Sequence, residues 1–511
     1  MKILGKKLVG FASYRRDRII ESILNGSEAQ SVFAELEQKK QQPIAISREK
    51  AKEILYELSS AYSSKALIVC YWIVRTLQTF MFRKISTYGD EVREIHNLTR
   101  DGKIIFYLPN HKSHMDYLLL SYILFHHEIA PPHIAAGVNL SFFPVGSLFR
   151  KAGAYFIRRK IAGNFLYTRF LQIYFDWMLK EKISQEFYME GGRSRDGKIR
   201  EAQSGIFTLF IEQIRAQKME SQVYFVPTSI TYDRLPEIQG LQNELRGAEK
   251  ETESAFSLIK SLSILWTNHH QVHVQFGKPM ALSSLLDGEF TKQKFSEVSG
   301  KIFREVQQNK TSTVSSLVAL VLLSTQDFID QLEFTNRVHW LMEFLKPCRQ
   351  CISEEIANMH KDLNEILKRF ESLGWFEKKG SKLHVSSDKR MEMNYYKNDL
   401  FPMLLPFYSF TDPSTLEILA HEFPYSKIVS RSFKLEEDDR SFLLKVIEPT
   451  LGFYAEVSKQ IKTHDLKNIM NKEVQKTLLG HIQSNSAFPY KEMLNTEALR
   501  ASCSYFHNQI K

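Results

Sequence analysis

The residues best suited to chemistry are His111 and Asp116, a histidine and a carboxylate five positions apart with Lys-Ser-His-Met between them. The apolar run 104–108 before them predicts a buried strand, and the apolar residues 117–125 after them predict a helix. A carboxylate at a helix start can accept one imidazole N–H, which leaves the other ring nitrogen neutral and able to take a proton. The pair therefore predicts a general base with its orienting acid, suited to activating a hydroxyl for acyl transfer.

Further motifs follow in a fixed order along the chain. They are Pro-Pro-His-Ile-Ala-Ala-Gly-Val-Asn at 131–139, Phe-Arg-Lys-Ala-Gly-Ala-Tyr-Phe-Ile-Arg-Arg at 149–159, Phe-Tyr-Met-Glu-Gly-Gly-Arg-Ser-Arg at 187–195 and Val-Pro-Thr-Ser-Ile-Thr-Tyr-Asp-Arg at 226–234. Together with the His111 motif, they resemble the glycerol-phosphate and dihydroxyacetone-phosphate acyltransferase family, and most of all its bacterial membrane-associated glycerol-3-phosphate acyltransferases. The resemblance covers residues 96–325 and is weaker at Tyr-Tyr-Lys-Asn-Asp-Leu, 395–400.

This resemblance implies an enzyme that transfers a fatty acyl group from a thioester, acyl-CoA or acyl carrier protein, to the sn-1 hydroxyl of glycerol 3-phosphate. The product would be lysophosphatidic acid. His111 would be the base and Asp116 its orienting partner, and no metal or redox cofactor is expected. The sequence leaves open whether the oxyanion of the intermediate is bound by N–H groups at the helix start or in the turn 190–192.

The second motif ends in two arginines after the predicted strand 154–157. Guanidinium groups suit a phosphate dianion, so Arg158 or Arg159 is expected to bind the phosphate of the acceptor. Successive strand residues point to opposite faces. We therefore expect one arginine to contact ligand and the other to make a structural ion pair.

The third motif contains paired glycines, Gly191 and Gly192, which let a backbone approach a ligand closely. Arg193 and Ser194 are then expected to contact phosphate or hydroxyl groups. Glu190 would hydrogen-bond the hydroxyl of the acceptor or hold an arginine. Without the other motifs, a charged surface turn would be the simpler interpretation.

The fourth motif lies in a stretch of β-branched and aromatic residues, 223–232, that predicts another strand. Pro227 interrupts it and predicts an edge strand or a bulge, because proline has no N–H for a ladder. The family resemblance places this segment beside the acyl-donor and active-site cleft, so Pro227 is a candidate substrate-binding residue. Core packing is an equally good interpretation of its neighbours.

Other catalytic interpretations fail on spacing. His111, His114 and Asp116 lack the His-x-His-x-Asp-His pattern of metallo-hydrolase ligands, so no metal site is predicted. Ser113 lacks the Gly-x-Ser-x-Gly elbow that exposes a serine nucleophile, which favours direct transfer without an acyl-enzyme. Cys348 and Cys351 form a lone Cys-x-x-Cys, which is typical of two reduced thiols.

The 511-residue chain has a net charge of +10 and four cysteines. We read this composition as that of a peripheral protein on the cytoplasmic face of the inner membrane, attracted to an anionic membrane surface, with no signal peptide and no transmembrane helix. No motif supports nucleic-acid binding. The apolar stretch 66–74, cut by Arg75, would either lie in the membrane interface through Tyr71 and Trp72 or pack as a buried helix.

The predicted fold class is α/β, a mixed-sheet acyltransferase core surrounded by helices. Residues 1–95 form a helical, membrane-associating region, 96–310 the catalytic domain and 311–511 a mostly helical C-terminal domain. The apolar helix 315–323 is expected to pack into the catalytic domain, cover the acyl channel or touch lipid. A hairpin turning at Lys379-Gly380 resembles a wing, which keeps a binding-module hypothesis open for that region.

Two alternative functions remain at this point. Thr-Tyr-Asp-Arg at 231–234 is closer to the mitochondrial glycerol-phosphate and peroxisomal dihydroxyacetone-phosphate branches, so dihydroxyacetone phosphate is a second candidate acceptor. The other alternative is a catalytically silent lipid-binding protein at the membrane. The intact pair His111 and Asp116 argues against that second alternative.

Overall fold

The computed structural model describes residues 2–3, 5–11, 14–87, 89–141, 145–158, 161, 163–246, 270–345, 352–405, 408, 411–426, 437–463, 469–484, 493 and 495–510. The chain divides into two units. The first comprises Met1–Gly192, Glu201–Ile230 and Glu251–Val306, and the second comprises Arg193–Arg200, Thr231–Lys250 and Gln307–Lys511. The division into regions 1–95, 96–310 and 311–511 stays a prediction.

The helices of the first unit occupy both its N-terminal part and the connections between its strands. They are α1 (Arg16–Asn25), α2 (Ser27–Lys40), α3 (Ile44–Leu58), α4 (Ser64–Met81), α5 (Glu91–Arg100), α6 (Asp116–His126), α7 (Val145–Lys151), α8 (Phe165–Lys180) and α9 (Ser204–Ala216). In the part of the chain that the structure describes, no helix is long and apolar enough to cross a membrane.

The strands of the first unit form a short N-terminal pair and one large sheet. They are β1 (Lys2–Ile3), β2 (Lys6–Lys7), β3 (Phe82–Ser86), β4 (Ile104–Pro109), β5 (His133–Gly137), β6 (Ala154–Ile157), β7 (Gln185–Glu186), β8 (Val223–Tyr232), β9 (His270–Phe276) and β10 (Met280–Ala281). The large sheet has the order β3-β9-β8-β4-β7-β5-β6. Its pairs β3–β9, β8–β4, β4–β7, β7–β5 and β5–β6 are parallel, whereas β10 pairs antiparallel with β8. This mixed sheet among helices confirms the predicted α/β class.

An aromatic core joins the sheet to two of its helices. Phe210 of α9 stacks on Phe175 of α8 with ring centroids 3.9 Å apart. Phe210 also meets the edge of Phe106 on β4 at 5.3 Å, and Phe207 packs against Phe225 on β8 at 5.5 Å. These rings are buried, and each contributes about 1.5–3 kcal/mol of transfer free energy. The core thus stabilises the two strands, β4 and β8, that lead to the candidate site.

The prediction that Pro227 marks an edge strand or bulge was wrong. β8 lies between β4 and β9, and Pro227 pairs in register with Leu108. The carbonyl of Thr228 accepts from the Asn110 N–H on the β4 side at 3.2 Å, so the nitrogen of Pro227 faces the other side. On that side, the carbonyl of Pro227 accepts from the N–H of Gly277 at 2.7 Å, just beyond the end of β9. A proline is tolerated here because its missing N–H points past the partner strand.

The second unit is mostly helical. Its helices are α10 (Ile238–Leu245), α12 (Val314–Leu322), α13 (Gln331–Leu345), α14 (Glu354–Ser372), α15 (Arg390–Leu400), α16 (Pro413–Glu422), α17 (Glu437–Thr463), α18 (Lys472–Ser484) and α19 (Thr496–Ile510); α11 (Lys292–Gln308) lies mainly in the first unit. Its strands β11 (Phe328–Asp330), β12 (Phe376–Lys379) and β13 (Lys382–Val385) pair antiparallel in the order β11-β13-β12. The hairpin predicted at Lys379-Gly380 is confirmed by β12 and β13.

Helix α12 is the apolar helix that the sequence predicted. Thr313 caps it through a reciprocal hydrogen-bond pair with Ser316, and every residue from Val314 to Leu322 is buried. Helix α15, all of whose residues are buried, packs against it. Burial on every side rules out the predicted lipid contact for α12. Its expected roles in packing on the catalytic domain or covering an acyl channel stay predictions.

Candidate active site

The segment between β4 and α6 is tied to β8 by one side chain. Asn110 follows the last residue of β4, and its amide Nδ2 donates to the carbonyl of Ile230 at 3.0 Å. Its Oδ1 accepts from the N–H of Ile230 at 2.7 Å. With these two hydrogen bonds, the Asn110 side chain pairs with the backbone of β8 as a neighbouring strand would, and extends the β4–β8 pairing by one residue. His111 therefore leaves the sheet from a fixed point.

His111 and Asp116 meet as the sequence predicted. The imidazole Nδ1 lies 2.9 Å from Asp116 Oδ2. The same oxygen accepts the backbone N–H groups of Lys112 at 2.7 Å and Ser113 at 2.9 Å. Because Oδ2 is an acceptor for each of these, the Nδ1 of His111 carries a proton and Nε2 is the nitrogen that can accept one.

Burial and the helix start favour this charge distribution. Asp116 is fully buried and is the first residue of α6, where the helix dipole and backbone N–H groups stabilise a carboxylate. The side chain of His111 keeps 15% of its surface exposed. The pair thus combines a carboxylate closed to solvent with an imidazole that is partly open to it.

Glu190 holds the histidine from the backbone side. Its Oε1 accepts the N–H of His111 at 2.7 Å, and its side chain is buried. The sequence predicted that Glu190 would contact the acceptor hydroxyl or an arginine, whereas this oxygen contacts the main chain of His111. The pairing spans 79 residues, and no local pattern signals it.

The turn after Glu190 requires a glycine at one position. Gly191 has a φ of +65°, in the left-handed region, and a Cβ there would lie 3.0 Å from Cγ of Gln203. The Gly191 N–H donates to the carbonyl of Tyr188 at 3.1 Å. Because that N–H is engaged inside the turn, it is not available to a ligand.

Two residues beside the pair were not recognised from sequence. The ring of Tyr188 lies against the imidazole of His111, with centroids 4.2 Å apart and planes 40° apart. The Tyr188 hydroxyl donates to Oε1 of Glu186 at 2.5 Å. Both fall in the stretch 185–189, which reads as an ordinary buried strand. A glutamate directly before the apolar run 187–189 is the local signal that could have drawn attention to it.

The two arginines of the second motif are placed unequally. Arg158 forms a bidentate pair with Glu57, Nε to Oε1 at 2.7 Å and Nη2 to Oε2 at 2.6 Å. Its guanidinium also lies 4.6 Å from the ring centroid of Tyr167. The Glu57 hydrogen bonds raise the pKa of Arg158. Arg158 therefore makes a structural ion pair, and Arg159 lies outside the described residues.

We predict that Arg158→Met and Glu57→Gln have matched, small effects. Each removes the same ion pair, which is partly exposed and contributes about 1 kcal/mol or less. Urea unfolding should show similar losses for both variants, and the KM for the phosphate-bearing acceptor should change by less than about threefold in each. A KM raised tenfold in Arg158→Met alone would instead make Arg158 a phosphate ligand.

Arg193 and Ser194 belong to the segment Arg193–Arg200 of the second unit. Arg193 Nη1 lies 4.0 Å from Glu237 Oε1, and the hydroxyl of Ser194 donates to the carbonyl of Lys198 at 2.6 Å. The donor of Ser194 is therefore used within its own loop. The structure brings together His111, Asp116 and Glu190, while the ligand contacts expected of Arg193 and Ser194 stay predictions.

The comparison with protein families bears on the class of protein to which this α/β fold and its histidine–aspartate pair belong. Residues 90–231 match the acyltransferase family model, and residues 242–407 match the model of the glycerol-3-phosphate acyltransferase C-terminal region. The two matched ranges follow each other along the chain. The family resemblance predicted from the sequence is confirmed.

Individual relatives are similar over part of their length. A glycerol-3-phosphate acyltransferase of Shewanella woodyi is 30% identical over 427 residues, 78% of this chain and 52% of the relative. One of Shewanella loihica is 35% identical over 283 residues, 55% of this chain and 34% of the relative. The chain spans about half the length of the curated relatives it matches. The crystal structure of the 1-acyl-sn-glycerophosphate acyltransferase of Thermotoga maritima has 17% identity and a TM-score of 0.27, covering 47% of this chain and 80% of that one.

Proposed function

We propose that this protein is a glycerol-3-phosphate 1-O-acyltransferase that makes lysophosphatidic acid from glycerol 3-phosphate and an acyl thioester. The observation that carries the proposal is the His111–Asp116 hydrogen bond of 2.9 Å, within a region that matches the acyltransferase family. The match of residues 242–407 to the C-terminal region of glycerol-3-phosphate acyltransferases supports the choice of acceptor. The donor is acyl-CoA or acyl carrier protein.

The proposed reaction is a direct transfer. Nε2 of His111 takes the proton of the sn-1 hydroxyl while that oxygen attacks the thioester carbonyl, and Asp116 stabilises the imidazolium that forms. The tetrahedral intermediate then expels the thiolate, which receives the proton from His111. One ester bond forms, one thioester bond breaks and the histidine returns to its neutral state. Neither step requires a metal or redox cofactor.

The acceptor phosphate needs cationic partners. We assign it to Arg193 and Arg159, since Arg158 is engaged with Glu57. Gly191 and Gly192 would let the backbone approach the ligand. The side-chain oxygen of Ser194 would accept a hydrogen bond from a hydroxyl of the ligand. Pro227, in β8, would border the acyl-donor side of the cleft. These assignments follow the family resemblance.

Membrane association at the cytoplasmic face of the inner membrane is part of the proposal, because the acyl chain of the product belongs in a bilayer. Helix α4 offers the surface. Val69, Trp72 and Ile73, spaced to share one helix face, are 48%, 52% and 39% exposed. On another side of α4, Tyr71 stacks on Tyr122 of the catalytic helix α6 at 5.6 Å. Exposed Lys65 and Arg75 on α4 add attraction to anionic lipid.

We predict that the triple variant Val69→Gln, Trp72→Gln, Ile73→Gln binds vesicles of anionic phospholipid about a hundredfold more weakly. Three half-exposed apolar side chains would each lose about 1 kcal/mol on leaving the interface. Co-sedimentation with the vesicles measures the loss. Leu332→Gln, which changes an apolar residue that is 68% exposed in the second unit, is the control and should bind as wild type does. Equal binding by the triple variant would contradict a role for α4.

The test of function is an acceptor comparison. The protein is incubated with palmitoyl thioester and either radiolabelled glycerol 3-phosphate or dihydroxyacetone phosphate, in the presence of phospholipid. We expect labelled lysophosphatidic acid from glycerol 3-phosphate at the higher kcat/KM. Transfer to dihydroxyacetone phosphate alone would favour the second candidate acceptor, which the motif at 231–234 supports. Transfer to neither would contradict the proposal.

A further inference from the structure

A buried carboxyl group is linked to the candidate active site through Tyr188 and takes no part in the proposed proton transfer. Glu186 is fully buried at the end of β7, in register with Tyr107 of β4 on one side and Ile134 of β5 on the other. Its Oε1 accepts the Tyr188 hydroxyl at 2.5 Å. Its Oε2 has no hydrogen-bond partner among the residues that the structure describes. An interior sheet position with one unsatisfied oxygen is costly, which indicates a specific role.

Tyr188 connects that carboxyl group to the base. Its ring covers one face of the His111 imidazole at a centroid distance of 4.2 Å, while Asp116 holds the Nδ1 edge at 2.9 Å. Glu190 fixes the His111 backbone N–H at 2.7 Å. Three contacts thus constrain His111: one at the Nδ1 edge of the ring, one on a face of the ring and one at its backbone N–H. Nε2 remains the ring nitrogen for the substrate.

We propose that Glu186 and Tyr188 are positioning residues, a buried support that holds the His111 ring in the orientation that presents Nε2 to the acceptor. The inference rests on the proposed function, because it assigns these residues a part in that reaction. Neither residue transfers a proton to substrate. The hydroxyl–carboxyl hydrogen bond fixes the tyrosine, and the tyrosine ring fixes the imidazole.

The support requires Glu186 to be an uncharged carboxylic acid. Burial raises its pKa to about 8, the hydrogen bond from Tyr188 opposes the rise, and the negative charge of Asp116 on α6 adds to it. The group facing it from β4 is Tyr107, whose own pKa is raised by burial and by Glu186. Within this set no cation balances an ionised Glu186. Ionisation above pH 8 would place a second negative charge near Asp116 and disturb the pair.

This leads to a stability effect that does not depend on substrate. A carboxyl group whose folded pKa exceeds its ordinary value of 4.5 keeps its proton longer in the folded state. The free energy of unfolding therefore falls as pH rises from about 4.5 through about 8 and stays lowered above it. Glu186→Gln, a neutral isostere, lacks this loss. Its melting temperature should fall less between pH 6 and pH 9 than that of wild type.

The experiment measures kcat, KM and melting temperature across pH 6–9.5 for wild type, Glu186→Gln, Tyr188→Phe and Tyr188→Leu, with palmitoyl thioester and glycerol 3-phosphate. We expect Tyr188→Leu to lower kcat about tenfold, with KM for glycerol 3-phosphate within about twofold, and Tyr188→Phe, which keeps the ring, to lower it about threefold. In Glu186→Gln, the fall of kcat on the alkaline side should move up by about one pH unit or more. Tyr56→Leu, at an exposed tyrosine, is the control.

Two results would overturn the proposal. One is an alkaline limb of kcat and a pH dependence of melting temperature that are the same in Glu186→Gln and wild type. The other is a Tyr188→Leu variant that keeps the wild-type kcat. These outcomes are separable from failure of the proposed function, because wild-type protein would still acylate glycerol 3-phosphate in the same series, and the melting temperatures need no substrate at all.

Discussion

Replacing His111 by alanine is expected to lower kcat for acyl transfer to glycerol 3-phosphate by about 100- to 10,000-fold. The hydroxyl of the acceptor has a pKa far above neutrality, and a positioned base contributes a factor of this size. The imidazole is 15% exposed and held by Asp116, so it is the side chain of the described pair that a hydroxyl can reach. Initial rates with labelled glycerol 3-phosphate and palmitoyl thioester measure the change.

His127→Ala is the matched control, since this histidine lies exposed just after α6. It should retain wild-type kcat. The melting temperatures of both variants should stay close to that of wild type, because neither histidine fills the core. A His111→Ala variant with full activity would remove the base from the mechanism and leave the family match as the only support for the reaction.

Replacing Asp116 by asparagine is expected to lower kcat about a thousandfold with little change in the KM for glycerol 3-phosphate. The amide oxygen of an asparagine should take the place of Oδ2, because that one atom accepts the N–H groups of Lys112 and Ser113 as well as the Nδ1–H of His111. The loop and the histidine tautomer should then be kept. What is lost is the negative charge that stabilises the imidazolium formed when His111 takes the proton of the hydroxyl.

Asp101→Asn serves as the control for that variant, because the Asp101 side chain is 59% exposed and pairs with Arg100 at 3.3 Å. Its steady-state kinetics should match wild type. If Asp116→Asn raised KM strongly and left kcat intact, the carboxylate would bind substrate and would not orient the base.

The local parts of this fold follow from local sequence patterns. The run 104–108 and the apolar residues 117–125 correctly predicted β4 and α6, and the alternation at 223–232 correctly predicted β8. The spacing of five between His111 and Asp116 places both groups around one strand-to-helix turn. For that reason, their 2.9 Å hydrogen bond could be predicted without any knowledge of the remaining fold.

The other parts depend on contacts between distant segments. The pair Arg158–Glu57 joins residues 101 positions apart, and Glu190 reaches His111 across 79. No periodicity contains such information. Pro227 shows the same limit, because its tolerance in an interior strand depends on where β9 ends relative to β8. A sequence pattern predicts a strand, but not which neighbour faces each backbone nitrogen.

The most direct test follows thiol and lipid in one reaction. Purified protein with palmitoyl thioester is assayed for thiol release with and without glycerol 3-phosphate, and the lipid product is identified by mass spectrometry. Direct transfer to the sn-1 hydroxyl predicts thiol release that depends on glycerol 3-phosphate and equals 1-palmitoyl lysophosphatidic acid mole for mole. Thiol release without any acylated glycerol 3-phosphate, or no release when the acceptor is present, would contradict the account.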